Sequence, residues 1–206
     1  MRFDAIDSHY TDATAAQFLI DTYRWTLNSS FTSAGTWNGA AATASKGGNT
    51  SADTLDQSAA TTAQILHGLG GNDTLIGGSA ADLIVGGAGS DTLTGNAGSD
   101  TFRFHFTNAG TDTITDFDAV QAVGLGGDVL DISYLLDGAN ANTLTQFVSL
   151  VDNAGKLQIN IDANGDGSGT DVSVTLANIA WTDASTDPNA YLNAWVTDGH
   201  LVYAVM

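Results

Sequence analysis

Four aspartates, Asp73, Asp82, Asp91 and Asp100, recur at a spacing of nine residues. Each is followed two residues later by a large apolar side chain: Leu75, Ile84, Leu93 and Phe102. The units are GLGGNDTLI (68–76), GGSAADLIV (77–85), GGAGSDTLT (86–94) and GNAGSDTFR (95–103). These residue types point to cation ligation. A carboxylate supplies oxygen donors, and a glycine-rich turn presents backbone carbonyls at close range. Together they form the oxygen ligand set that Ca²⁺ prefers. Catalysis finds no such support. The chain has no H-E-x-x-H, no G-x-S-x-G and no Cys, and its four His are far apart in sequence. Carboxylates repeated in turns are better explained by a cation than by acid–base work.

The spacing also dictates the elements that must hold these groups. Six residues of Gly and Asp make a turn. The next three, with only the middle one apolar, make a short strand whose central side chain points inward. A nine-residue unit cannot bury its own face, so copies must stack. Two units then form one coil of 18 residues, and coils stack about 4.8 Å apart. Asp73 and Asp91 fall in one column, Asp82 and Asp100 in another. Like charges at that separation in a partly buried turn repel strongly. A divalent cation between successive turns removes the repulsion. Two weaker copies precede the clean ones. GNTSADTLD (48–56) carries Asp53 and Leu55, two residues out of phase, and AATTAQILH (59–67) has Gln64 in place of Asp, with Leu66 in position. A flexible Gly-rich linker has no reason to keep these positions in phase.

Composition narrows the class further. The chain has 206 residues, a formal net charge of −18, and 23 acidic residues, all of them Asp. Asp favours turns and caps where Glu favours helices. With 24 Gly and 1 Pro, this argues for a turn-rich protein and against a helical bundle. Five basic residues cannot build a phosphate-neutralising or lipid-binding patch, so nucleic-acid and anionic-membrane partners are excluded. No apolar run is long enough to span a bilayer. A hydrophobic fraction of 43% is too high for a disordered acidic tail. The lack of Cys excludes a disulfide scaffold, and the N-terminus lacks a basic-then-apolar leader.

GGAGSDTLT is a full copy of the RTX nonapeptide, Gly-Gly-x-Gly-x-Asp-x-apolar-x, and the chain resembles the C-terminal region of RTX proteins exported by type I secretion. The resemblance implies a mainly β fold: a right-handed parallel β-roll, that is, a calcium-binding β-solenoid, with a β-rich α+β C-terminal cap. It also implies ligand sets, in which one turn gives the carbonyls of positions two and four with its Asp. The turn 18 residues on gives the carbonyls of positions one and three with its own. One site is then Leu69, Gly71, Asp73, Gly86, Ala88 and Asp91. The other is Gly78, Ala80, Asp82, Gly95, Ala97 and Asp100. The chain departs from the pattern with Leu69 and Asn96 at position two and Ala80 at position four. Asn tolerates left-handed backbone, whereas Leu and Ala do so poorly.

The roll is expected to run past the clean copies. Subtracting 18 from Asp73 lands near Asp53; adding 18 to Asp91 and Asp100 lands near Asp112, Asp116 and Asp118. These edge acids are candidate ligands or, equally, turn and cap residues. Phe102, Phe104 and Phe106 alternate with Arg103 and His105, which predicts a lengthened last strand. DTITDFD (112–118) and GDVLDISYLL (127–136) resemble the segment that follows the roll in RTX adhesins, proteases and lipases. There Asp116, Asp128 and Asp131 are candidate calcium ligands, and Asp131 is equally a cap for the SYLL turn. NANTLTQFVSLV (140–151) reads as a short helix. KLQINID and DVSVTLANI read as hairpin strands. Between them, Asp162, Asn164, Asp166 and Gly167 start a D-x-N-x-D-G loop, readable as a calcium loop or a polar hairpin tip. The end of the chain reads as a short helix, a turn and an apolar strand. The divisions expected are 1–46, a helix over Asp12–Trp25 with loops or a linker; 47–118, the roll, with clean repeats at 68–103; and 119–206, the cap with an export signal.

The function expected is that of a non-enzymatic C-terminal module of a large RTX adhesin, folded by two or more Ca²⁺ ions. Its partners would be upstream adhesin repeats in the parent chain and the type I machinery: ABC transporter, membrane fusion protein and outer-membrane channel. No nucleic acid and no membrane insertion are expected. The module would be monomeric and lie outside, or on the surface of, a Gram-negative cell. One alternative is the tail of an RTX protease or lipase with its catalytic domain upstream. Another is ice binding through outward Thr74, Thr92 and Thr101, a face that Leu83 interrupts.

Overall fold

The computed structural model describes residues 36–37, 40–41, 44–104, 110–119, 127–136, 143–165, 167, 169–184 and 186–203. The helix expected over Asp12–Trp25 lies outside these residues, as do His105, Phe106 and Asp166. The expected loops before the roll contain a short antiparallel pair, β1 (Thr36–Trp37) with β2 (Ala40–Ala41).

From β3 (Ala44–Gly47) onward the chain winds between two sheets, with one strand for each repeat unit. Strands β4 (Thr54–Asp56), β6 (Thr74–Ile76), β8 (Thr92–Thr94) and β10 (Thr111–Ile114) lie side by side in one sheet. Strands β3, β5 (Gln64–Gly70), β7 (Leu83–Ala88), β9 (Thr101–Arg103) and β11 (Val129–Asp131) form the other. All of these neighbours pair in parallel. The fold is a parallel β-roll.

Register follows from burial. Leu55, Leu75, Leu93 and Ile114 are Cα partners in one sheet, and Leu66, Ile84, Phe102 and Leu130 in the other. All eight are buried, and the seven other than Leu55 are at 0% exposure. These two apolar files face each other and form the core. A one-residue slip would turn a whole file outward, which pins the stacking of the turns.

The C-terminal half extends both sheets as well as closing them. β14 (Val172–Ala180) pairs in parallel with β10, and β13 (Lys156–Ile161) and β12 (Val148–Asn153) follow it antiparallel. β15 (Leu201–Val202) pairs in parallel with β11, setting Leu201 beside Leu130. Both sheets thus cross residue 118 without a break. The hairpin expected from KLQINID and DVSVTLANI is β13–β14. The closing helix is α3 (Pro188–Asp198), after the one-turn helices α1 (Leu144–Phe147) and α2 (Trp181–Ala184). Asp187 caps α3, accepting from the Ala190 N–H at 3.0 Å, and left-handed Gly199 ends it.

Four expectations need correction. Among the described residues, the helix expected over 140–151 is confined to α1, and Val148–Asn153 is strand. Val148 and Leu150 are buried while Ser149 is exposed, a period of two that outweighs the apolar content of the segment. The lengthened strand after Phe102 ends at Arg103 within the described residues. Arg103 is buried against Asp131, although its place in the alternation predicts solvent. Thr101 is buried in the sheet opposite Thr74 and Thr92, so these three threonines do not form one outward face.

Phe102 fills the centre of its file and lies near Phe117, with ring centroids 6.1 Å apart. Replacing Phe102 with Ala should cost about 3–5 kcal/mol. Denaturant unfolding of the calcium-loaded chain measures this; a loss under about 1 kcal/mol would mean that the file is not the core.

Candidate metal centre

The turns bring the aspartates into two continuous columns. In the first, the carboxylate of each turn accepts the backbone N–H of the Asp one coil earlier. Asp73 Oδ1 accepts from Asp53 N at 2.7 Å, Asp91 Oδ1 from Asp73 N at 2.8 Å, and Asp112 Oδ1 from Asp91 N at 2.8 Å. In the second, Asp82 Oδ1 accepts from Gln64 N at 2.7 Å, Asp100 Oδ1 from Asp82 N at 2.8 Å, and Asp128 Oδ1 from Asp100 N at 2.9 Å. Gln64 thus occupies the Asp position that its phase predicts. Asp53 joins its column across 20 residues and Asp112 across 21, so the turn can grow while the ladder is kept.

One expected position is corrected. The successor to Asp100 is Asp128, 28 residues on, in place of Asp116 or Asp118. Asp116 instead accepts the N–H groups of Gly95 at 3.0 Å and Asn96 at 2.8 Å. The Asp118 N–H donates to Asp128 Oδ2 at 2.9 Å. A usable signal was present. Asp112-Thr-Ile114 and Asp128-Val-Leu130 both repeat the Asp-x-apolar step of the clean units, whereas Asp116-Phe-Asp118 does not.

The other carboxylate oxygens reveal what the ladder lacks. Oδ2 of Asp73, Asp91 and Asp100 is buried with no hydrogen-bond partner. Asp73 Oδ2 and the Gly86 carbonyl crowd the same space beside Gly68, where a Cβ would collide with both. Asp82 Oδ2 and the Gly95 carbonyl do the same beside Gly77, and Asp53 Oδ2 and the Gly68 carbonyl beside Gly48. A buried anionic oxygen facing a carbonyl oxygen is unfavourable unless a cation sits between them. Of the basic residues described, Arg103 is bound to Asp131, and Lys46 and Lys156 are exposed. The donors fit Ca²⁺: hard oxygens from two turns, with position one left free of a side chain. Among the described residues no three His, Cys, Asp or Glu side chains form a cage. Each gap therefore needs its carbonyls as well as its carboxylates.

Burial shifts the acids accordingly. It pushes the Asp100 carboxyl up to about 8; the Asp82 N–H opposes the shift, and Asp128, Asp82 and Asp116 add repulsion. Burial likewise pushes Asp73 and Asp128 up to about 6 and raises Asp82 and Asp91.

The two sites expected from the repeat differ in their turns. Leu69 takes φ 79° and Asn96 φ 67°, where the full copy has Gly87 at 106°. Leu69 thus accepts the left-handed conformation despite its side chain. Position four is Gly71 at 99°, Gly89 at 126° and Gly98 at 137°. Ala80 is not left-handed, and neither is Gly78. The turn 77–85 leans on the preceding loop through Ser79 N to Ala60 O at 2.9 Å, and its Gly78 N–H donates to Asp82 Oδ2 at 2.6 Å. Asp82 Oδ2 therefore has a donor where Oδ2 of Asp73, Asp91 and Asp100 has none, and the Gly78 carbonyl accepts from Ala97 N at 3.3 Å.

Two outlying candidates are engaged elsewhere. Asp131 binds Arg103 Nε at 2.8 Å and caps the SYLL turn through Ser133 N at 3.1 Å and Oγ at 2.6 Å, so its charge is already met. Asp162 accepts from Gly165 N at 2.9 Å and Gly167 N at 2.7 Å, and Asp171 from Ala163 N at 2.9 Å. These bonds close a hairpin tip. Asn164 lies within it, and Asp166 is outside the described residues.

This arrangement defines a calcium-binding β-roll. Residues 65–102 match the RTX calcium-binding nonapeptide repeat in four copies. Residues 65–102 are thus RTX calcium-binding repeats, and they imply Ca²⁺ as the cofactor, bound as several ions. The chain is similar to the AlgE6R3 subunit of the Azotobacter vinelandii mannuronan C5-epimerase, at 30% identity over 76% of this chain and 81% of that one, with a TM-score of 0.47. It is also similar to the AlgE6R2 subunit of that epimerase, at 25% identity over 78% of this chain and 92% of that one, again with a TM-score of 0.47. No curated protein matches the chain.

The raised carboxyls fix the sign of the pH dependence without metal. Folded values of about 6 to 8 exceed the ordinary aspartate value of 3.8, so the protonated acid is favoured in the fold. Their contribution is complete below 3.8 and is lost as pH rises through about 6 to 8. In excess EGTA, circular dichroism should show β structure declining from about pH 5 to about pH 8. A metal-free chain that gains structure over this range contradicts the ladder energetics.

Proposed function

We propose that the chain is a non-enzymatic, calcium-folded module at the C-terminus of a large secreted RTX adhesin, carrying an uncleaved type I export signal in its last residues. The observation that carries the reading is the set of buried carboxylate oxygens without donors, each in a column of its own kind. Without metal, desolvation and repulsion along the columns oppose folding. With metal, binding free energy becomes folding free energy. Extracellular calcium modules bind with Kd on the order of 10⁻⁴–10⁻³ M. An ion at ten times its Kd adds about 1.4 kcal/mol per independent site. A few such sites equal the net stability of a small domain.

The mechanism suits export. In a low-calcium cytosol the roll stays unfolded and can thread the ABC transporter, membrane fusion protein and outer-membrane channel. Outside, millimolar calcium folds it, and because the C-terminus leaves first, the folded roll hinders return. The order of elements supports this reading: the roll comes first, then helix α3 and a Gly-x-Leu-Val ending at 199–202. RTX repeat proteins are typically secreted, which supports a location outside the cell or on its surface.

Far-UV circular dichroism should show the β signal only with millimolar Ca²⁺ and its loss in excess EGTA. A chain equally folded in both sinks the mechanism. The upstream sequence of the parent protein separates the adhesin from an RTX enzyme tail: tandem sandwich repeats support the first, catalytic motifs the second.

A further inference from the structure

The second column ends on a residue held by the C-terminus. Asp128 gives both carboxylate oxygens to the roll, accepting from Asp100 N and Asp118 N. Its backbone carbonyl lies 2.7 Å from His200 Nδ1, so the imidazole carries its proton on Nδ1 and donates it. His200 is buried and fixed on every side. Its N–H donates to Trp195 O at 2.9 Å, and its carbonyl accepts from Leu130 N at 2.7 Å. Its ring packs against the stacked pair of Phe117 and Trp195, with centroids 6.1 and 6.0 Å away. A Cβ on Gly127 would stand 2.6 Å from His200 Cε1, so the residue before Asp128 must be small for the ring to reach.

This coil also closes the ligand column. Leu201 stands beside Leu130, so the position matching Asp128 is Gly199, which has no side chain. The last turn therefore brings His200 to the ladder in place of another carboxylate. The first column ends differently: the partner of Asp112 is Val174, in a strand continuous with the hairpin.

We propose that His200 is a positioning residue for the metal column, and that filling of the Asp100–Asp128 gap and docking of the C-terminal helix and strand are one linked equilibrium. The inference rests on calcium occupying the inter-turn gaps. Linkage is reciprocal: an ion that needs Asp128 in place favours docking by the same factor by which docking raises its affinity.

The test is hydrogen exchange on the full chain across a Ca²⁺ titration, using Ca²⁺ alone as the ligand. In His200→Leu, the calcium midpoint for protection of the Asp100 and Asp118 amides should rise at least about fivefold. The midpoint for the Asp53 and Asp73 amides should stay within about twofold of wild type, the coupling being confined to the other column. His200→Asn, whose side-chain N–H can replace Nδ1–H, should restore the Asp100 and Asp118 midpoint. As the reverse arm, Asp100→Asn should leave the His200 and Leu130 amides exchanging fast in saturating calcium, while Asp53→Asn keeps them protected. If His200→Leu does not fold, the Asp100→Asn and Asp53→Asn pair decides. Midpoints that move together in both columns, midpoints that do not move, or C-terminal protection that ignores Asp100→Asn would each overturn the proposal. A wild-type chain whose protection ignores calcium would instead remove the calcium reading itself.

Discussion

The structure depends on one unfavourable contact repeated many times: an aspartate carboxylate buried one coil above another. Each carboxylate spends one oxygen on the backbone of its neighbour, and in Asp73, Asp91 and Asp100 the other oxygen is left without a donor. In most proteins such a group would be exposed or paired with a cationic side chain. Here five basic residues face 23 aspartates. The missing charge must come from outside the chain, and the close approach of carboxylate to carbonyl at Gly68 and Gly77 makes the site for it. The net charge of −18 belongs to the metal-free chain, and each bound Ca²⁺ offsets two units.

The rest of the fold serves that contact. The two apolar files fix which turn lies over which, so carboxylates 18, 20, 21 or 28 residues apart come to the same step of a ladder. The files do not depend on the metal for their pattern, yet units this thin bury little surface each. The C-terminal half then lengthens both sheets. The hairpin continues one from β10, and the last strand continues the other from β11. Where the chain has a cation of its own, it uses it in a different way. Arg103 and Asp131 form a buried pair beside Tyr134, 5.0 Å from the guanidinium, outside the two columns.

Much of this was legible in the residues, and the limits are instructive. The nine-residue period gave the stacked coils, the two columns and the inward files, because a repeat makes one local rule act many times; the parallel roll was what the family resemblance implied. Gln64 was readable as a stand-in for Asp for the same reason. Asp128 was missed because the count of 18 was carried past the last clean copy, where a longer connection breaks the count but keeps the Asp-x-apolar step. Asp131 kept two readings until its partner was known; a buried Arg103 one residue after the file position Phe102 could not be told from an outward one by alternation. Leu69 and Ala80 were both suspect on steric grounds, and it is the turn of Ala80 that departs. Neighbouring turns hold Leu69 in place, whereas the turn of Ala80 leans on the loop at Ala60. Propensity described these residues correctly, and tertiary packing chose between them.

The central claim is that cations sit between successive aspartates of each column. The most direct measurement is a crystal structure grown in calcium, with anomalous scattering used to locate the ions. The account predicts peaks in the gaps between Asp73 and Asp91 and between Asp82 and Asp100, each bounded by two carboxylates and by backbone carbonyls. Well-ordered turns with no anomalous density in these gaps, or calcium bound only outside the two columns, would contradict it.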